Sequence, residues 1–156
     1  MSPTTATSRR VGRDELLEFV RPRHRATIIT AKRDGRPQVS LVTCGVDESG
    51  RIVISTYPER AKVHNVRRNP AVTLCIQSDE WDGPYVQLDG TAEVIDLPES
   101  VEPLVDYFRA ISGEHPDWNE YRAAMRSQGK SLIRIAIDSW GPIATGGFPP
   151  GRATGS

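Results

Sequence analysis

The apolar positions of the chain change period several times, and each change marks an element. Leu16, Leu17 and Val20 recur at helical spacing over Asp14 to Val20 and predict a short lead-in helix. Arg25 to Lys32 (RATIITAK) is β-branched and predicts a first strand. Asp34-Gly35 signals a hairpin turn, and Pro37 to Val46 (PQVSLVTCGV) returns as the second strand. After a turn at Asp47 to Gly50, Ile52 and Ile54 alternate with Val53 and Ser55, the period-2 pattern of a third strand with a buried face. Pro58 ends that run. From Glu59 the chain turns helical, with Ala61, Val63 and Val66 pointing inward and Asn69-Pro70 as the stop.

Ala71 to Gln77 and Tyr85 to Ile95 read as two more strands, separated by the polar loop SDEWDG with Trp81 at its centre. Gly90 falls inside the second of these and predicts a bulge that lets a barrel bend. Leu104, Val105, Phe108 and Ile111 mark an amphipathic helix, with Pro103 in its first turn and Gly113 at its close. Trp118, Tyr121 and Met125 share one side of another short helix over Asp117 to Ser127, a stripe read as packing. Ser131 to Asp138 (SLIRIAID) predicts the last strand. The tail SWGPIATGGFPPGR is too rich in Gly and Pro for either regular structure.

Six strands with two or three small helices, none in βαβ alternation, give a mainly β fold built as an antiparallel barrel. At 156 residues the chain is expected to form one domain. Residues 1–12, Ser/Thr-rich with Arg9 and Arg10, are expected to be a disordered tail, residues 13–150 the barrel and residues 151–156 a flexible C-terminus. Hydrophobic residues at 37% with 26% charged fit a soluble globular protein. No run approaches the ~18 apolar residues of a membrane span, and MSPTTATSRRVGR has no apolar stretch for a signal peptide. A cytoplasmic protein without a membrane partner is the expectation. Cys44 and Cys75 both fall in apolar strand patterns and are expected to be a reduced, buried pair. His24, His64 and His115 lack metal-ligand spacing, so no metal is expected. No G-x-G-x-x-G, G-x-x-x-x-G-K-[ST] or G-x-S-x-G occurs, which disfavours dinucleotide-fold, P-loop and α/β-hydrolase chemistry.

The net charge of zero hides an asymmetry. Residues 1–70 carry 14 Lys and Arg against 7 Asp and Glu, a net +7, and residues 71–156 carry 6 against 13, a net −7. Such a chain lacks the overall basic surface of a nucleic-acid binder, and its positive potential is local, suited to a small polyanion. The sharpest concentration is Arg60, Lys62, Arg67 and Arg68, with no acidic residue among them and the hydroxyls of Ser55, Thr56 and Tyr57 just before. Free N–H groups at a helix start, adjacent hydroxyls and first-turn cations together favour a phosphate or carboxylate. The same pattern would also serve as a solvated basic face.

The string R-A-K-x-x-N-x-R-R-x-P, here Arg60, Ala61, Lys62, Asn65, Arg67, Arg68 and Pro70, resembles the cofactor-phosphate segment of the pyridoxamine 5'-phosphate oxidase-like split β-barrels. Within that superfamily the chain is most similar to the small deazaflavin (coenzyme F420)-dependent oxidoreductases, in length, in RAKVHNVRR and in GEHPDW. The resemblance extends from Leu16 to Pro150. It implies a split β-barrel with a few short helices that works as a homodimer, with the cofactor in the groove between subunits. That cofactor would be coenzyme F420, with FMN as the alternative. Carried over by position, Arg60 and Lys62 would bind the cofactor phosphate, with Thr56, Ser55 and Asn65 in support. Gln38 and Ser40 on the second strand, and Ile28, Ile29 and Thr30 on the first, would face the ring system and its ribityl chain. Trp81, Tyr85 and the tail around Phe148 would close the pocket from the other subunit. Arg67 and Arg68, on later turns, would mainly solvate the helix.

The implied activity is hydride transfer from the reduced coenzyme to a conjugated small molecule such as an enone, lactone, quinone or tetrapyrrole. An FMN-dependent oxidoreductase of the same fold and a non-catalytic carrier are the alternatives. Vitamin B6 oxidation is not expected, because the chain ends in SWGPIATGGFPPGR rather than in the Arg/His substrate signature of those oxidases. No catalytic carboxylate or triad stands out, and the proton would come from solvent or from Tyr85.

Overall fold

Two three-stranded meanders, closed edge to edge, build the protein. The computed structural model describes residues 5–149 and 151. In chain order the elements are β1 (Thr7–Arg9), α1 (Arg13–Val20), β2 (Arg25–Ala31), β3 (Pro37–Val46), β4 (Ile52–Thr56), α2 (Ala61–Arg68), β5 (Ala71–Gln77), β6 (Val86–Ile95), α3 (Val101–Ser112), α4 (Trp118–Gln128), β7 (Ser131–Trp140) and β8 (Ile143–Thr145). The strands β2-β3-β4 and β5-β6-β7 join through β4 with β7 and β2 with β5, which closes a six-stranded barrel. Every one of its pairings is antiparallel. Closure leaves no free edge on the barrel strands. The fold is therefore the antiparallel barrel that the strand patterns predict, with four short helices.

Alternation along the strands fills the interior. Ala26, Ile28, Ile52, Ile54, Leu74, Ile76, Leu88, Ile133 and Ile135 point inward and are buried. Val63 and Val66 of α2 and Leu16 and Val20 of α1 join the same cluster. Burial of each such side chain contributes roughly 1.5–3 kcal/mol. Val53 faces the other way on β4 yet is also buried, because α3 and α4 lay Leu104, Val105, Tyr121 and Met125 over it and Leu132 as a second cluster. Gly90 sits at the expected irregularity, where the β6–β7 register shifts between Asp89 and Gly90. A Cβ there would stand 2.5 Å from Ile135 Cγ2 and 2.6 Å from the Ala136 carbonyl oxygen, so close approach of the two strands demands glycine.

Three expectations need correction. Residues 7–9, inside the segment expected to be disordered, form β1, and the Gly/Pro-rich tail contributes its partner β8. Both are three residues long and β1 is wholly exposed, so neither carries a period-2 signal. Side chains reinforce this backbone pairing: Thr7 and Thr145 hydroxyls meet at 2.7 Å, and next to the pair Trp140 Nε1 donates to the Val11 carbonyl at 2.8 Å. Residues 1–4, 150 and 152–156 lie outside the described residues. The cysteines are both free but do not form a buried pair. Cys44 is in the interior, where burial pushes its thiol up to about 12, whereas Cys75 is half-buried on the outer face of β5. No helix among the described residues is long and apolar enough to cross a membrane.

Candidate functional site

β4 ends where α2 begins, and the junction forms a polar cavity of about 500 Å³. Ser55 lies on the outer face of β4 and Thr56 on the inner. Pro58 turns the chain, and Arg60 takes the N-cap position of α2 in extended conformation (φ −69°, ψ 146°) without a side-chain cap bond. The amides of the first turn thus have no capping side chain, and the helix presents its positive end to the cavity. Ser40, Ser55, Thr56, Arg60 and Lys62 all line this space, together with Leu41, Tyr57, Ala61 and Lys130.

Two features mark it as a place for an anion. Thr56 is 4% exposed, and its Oγ1 is the one buried side-chain polar atom without a hydrogen-bond partner among the described residues. An unmatched buried hydroxyl costs about 1–3 kcal/mol unless something supplies an acceptor. Arg60, Lys62 and Lys130 line the same cavity, and no acidic residue does. Burial holds the Lys62 ammonium below the usual lysine range, and the charges of Arg60 and Lys130 push it the same way. The arrangement fits a phosphate ester, whose oxygens accept from the Thr56 hydroxyl, the α2 amides and the ammonium groups.

The remaining residues expected at the site divide into groups. Ile28 is fully buried among the core side chains, so its side chain cannot face a ligand. The strict alternation of β2 decides this, since Ile29 takes the outer face and Ile28 the inner. Thr30, Gln38 and Asn65 form a polar relay behind the cavity rather than part of its wall. Asn65 Nδ2 donates to Thr30 Oγ1 (3.0 Å), Thr30 Oγ1 to Gln38 Oε1 (2.8 Å), and Gln38 Nε2 to Ser40 Oγ (2.8 Å). Asn65 Oδ1 also accepts from Arg68 Nη2 at 2.7 Å, so this buried amide is spent internally. Its place in the motif is explained by holding α2 against β2 and β3. Arg67 pairs with Asp96 at 2.6 Å, and the hydrogen bond from Ser131, followed by that from Arg67, keeps that carboxyl below its usual range.

Trp81 and Tyr85 belong to a second cavity, of about 680 Å³, with Arg25, Leu41, Cys75, Gln77, Asp79 and Glu80. Leu41, 83% exposed, lines both cavities and makes them neighbours along β3. Tyr57, one of the hydroxyls expected before the helix, lines the cavity, and so does Lys130, which was not expected there. Nothing in the local sequence pattern brings Lys130 there. The β4–β7 register does so, by pairing Thr56 with Ser131.

Residues 13–144, which include all six barrel strands, match the pyridoxamine 5'-phosphate oxidase family. The chain belongs to that family. Its oxidoreductases bind flavin-type cofactors, and in this chain the family barrel carries the cation-lined cavity at the β4–α2 junction. Several solved structures share the fold. The conserved protein Rv2991 of Mycobacterium tuberculosis superposes with a TM-score of 0.72 at 23% identity, covering 88% of this chain and 89% of that one. A protein described as an F420 reductase gives 0.59 at 19% identity, covering 79% and 94%. A haem-binding protein from Mycobacterium smegmatis gives 0.60 at 20% identity, covering 84% of this chain and 54% of that one. At these identities the likenesses establish the fold of this family member and nothing finer.

Proposed function

We propose that this chain is an oxidoreductase that uses reduced coenzyme F420 to reduce conjugated small molecules, among them enones, lactones, quinones or tetrapyrroles. The observation that carries the reading is the orphaned Thr56 hydroxyl at the cationic start of α2, in a cavity that continues past Leu41 into an apolar one. An elongated ligand with an anionic end and a flat ring matches both parts. Bound there, the coenzyme supplies a hydride to an electrophilic carbon of the substrate. Arg60 and Lys62 hold the phosphate by charge, and Thr56 fixes one oxygen by donating its hydroxyl hydrogen. Ser40, oriented by Gln38, presents a hydroxyl beside the cavity. Leu41, Trp81 and Tyr85 offer the apolar and aromatic surface on which a ring can lie and from which water is excluded.

The exposed apolar positions on the outer wall, with Val39 57% exposed beside Leu41 and Trp81 fully so, are proposed to be covered by a second copy of the chain. FMN is the second reading, favoured by the presence of three cations, which suits a dianionic phosphate monoester. A haem reading has less support, since no histidine lines either cavity. The test is recovery of oxidised-deazaflavin absorbance when quinones, enones and linear tetrapyrroles are added to the reduced coenzyme with the protein. Turnover of at least one class is expected. Tight binding of the coenzyme with no turnover of any class would replace the enzyme by a carrier.

A further inference from the structure

Lys130 is the one cation of the polar cavity that the α2 motif does not supply, and its placement is tightly specified. Gly129, at φ 69° and ψ 31°, ends α4 in the left-handed conformation and reverses the chain. The Lys130 carbonyl then accepts from Ser100 Oγ at 2.9 Å, and its amide donates to the Met125 carbonyl at 3.2 Å. Ser100 is fully buried, so the anchor is rigid. With Thr56 opposite Ser131 in the β4–β7 register, the next residues outward, Tyr57 and Lys130, meet beyond the strand ends. Nζ stands 4.2 Å from the centroid of the Tyr57 ring and donates to Ser55 Oγ at 3.3 Å. The same ring faces Arg60, whose Cζ lies 5.7 Å from its centroid.

Lys130 makes no ion pair among the described residues, although eight other basic–acidic contacts are present. Instead it is held near two like charges, and its charge is felt at Lys62. Like charges lining one cavity with a buried, unmatched hydroxyl are a net cost to the fold unless an anion offsets them. We infer that Lys130 is a direct ligand of the phosphate ester in this cavity, a third cation delivered from the α4–β7 connection to act with Arg60 and Lys62. The Tyr57 ring keeps the ammonium in place when the cavity holds no anion. This assignment rests on the cavity being the phosphate end of the cofactor site, and the test separates the two claims.

Wild type, Lys130→Met and Lys130→Arg are titrated with coenzyme F420 and, separately, with inorganic pyrophosphate, and their thermal unfolding is recorded. Methionine keeps an apolar stem against Tyr57 and removes the charge, whereas arginine restores it. Lys130→Met is expected to weaken both ligands about 10-fold, the scale of a lost charged hydrogen bond, and to flatten the salt dependence of binding. Lys130→Arg is expected within about 3-fold of wild type. Pyrophosphate binding that depends on Lys130 in a protein with no affinity for the coenzyme would keep the lysine's role and overturn the cofactor. Equal behaviour of wild type and Lys130→Met towards both ligands, with or without a fall in melting temperature, would overturn the inference and leave Lys130 as packing for Tyr57.

Discussion

The two cavities that meet at Leu41 are built on opposite principles. The smaller gathers three cations and an unmatched hydroxyl around the start of α2, with no acidic residue in its wall. The larger offers Leu41, Cys75, Trp81 and Tyr85, with Asp79 and Glu80 on its side and Arg25 engaged with Asp79 at 3.3 Å. One end is lined by charge of a single sign, whereas the other is mainly apolar, with its Arg25 already paired to Asp79. The difference teaches how the work of binding is divided. On the proposed reading, charge at the polar end would set affinity and respond to salt, whereas contact area at the apolar end would set the position of a ring and not respond.

Substitutions at the polar end should have the largest effect. Lys62→Ala or Arg60→Ala is expected to weaken cofactor binding by roughly 1.5–3 kcal/mol, or about 10- to 100-fold, in a fluorescence titration. Losses confined to the apolar end would invert the comparison. Trp81→Ala is expected to cost less, roughly 2- to 10-fold, the scale of a single aromatic contact, with the salt dependence unchanged. A smaller effect follows from Lys62 titration. Burial and its cationic neighbours hold its ammonium below the ordinary 10.5 in the free protein, and a bound anion raises it again. Affinity should therefore be full while Lys62 is charged and fall as pH rises through its depressed value, a slope that Lys62→Ala removes. The least change in affinity is expected for Arg68→Ala, within about 3-fold. It should instead lower stability by about 1 kcal/mol, because the arginine serves the Asn65 side chain and the Ala31 carbonyl.

The polar end was the legible one. Ser55, Thr56, Arg60 and Lys62 are local in sequence, and a strand ending in hydroxyls before a basic helix start announces itself without the fold. Lys130 was not legible, because only the β4–β7 register and the turn at Gly129 bring it alongside. The apolar end draws on β2, β3, β5 and the loop after it, so its membership depends on which face each strand turns outward. One residue of register decides the face: Ile29 lies on the outer face, though it lines neither cavity, and Ile28 is lost to the core. Asn65 shows the reverse case, a motif residue whose motif does not reveal that its side chain is committed to Thr30 and Arg68. The six barrel strands were readable from alternation, and Gly90 from its position inside a long run. β1 and β8 were not, since each is only three residues long and β1 is wholly exposed, too short for an alternation to register.

The central claim is that the cationic cavity and its apolar neighbour together hold a deazaflavin rather than a flavin. A titration of the purified apoprotein with coenzyme F420 beside FMN, repeated at low and high salt, tests it most directly. The account predicts tighter binding of coenzyme F420, weakened by salt and by Lys62→Ala. Equal affinities, or a yellow protein that purifies with FMN in place, would contradict it.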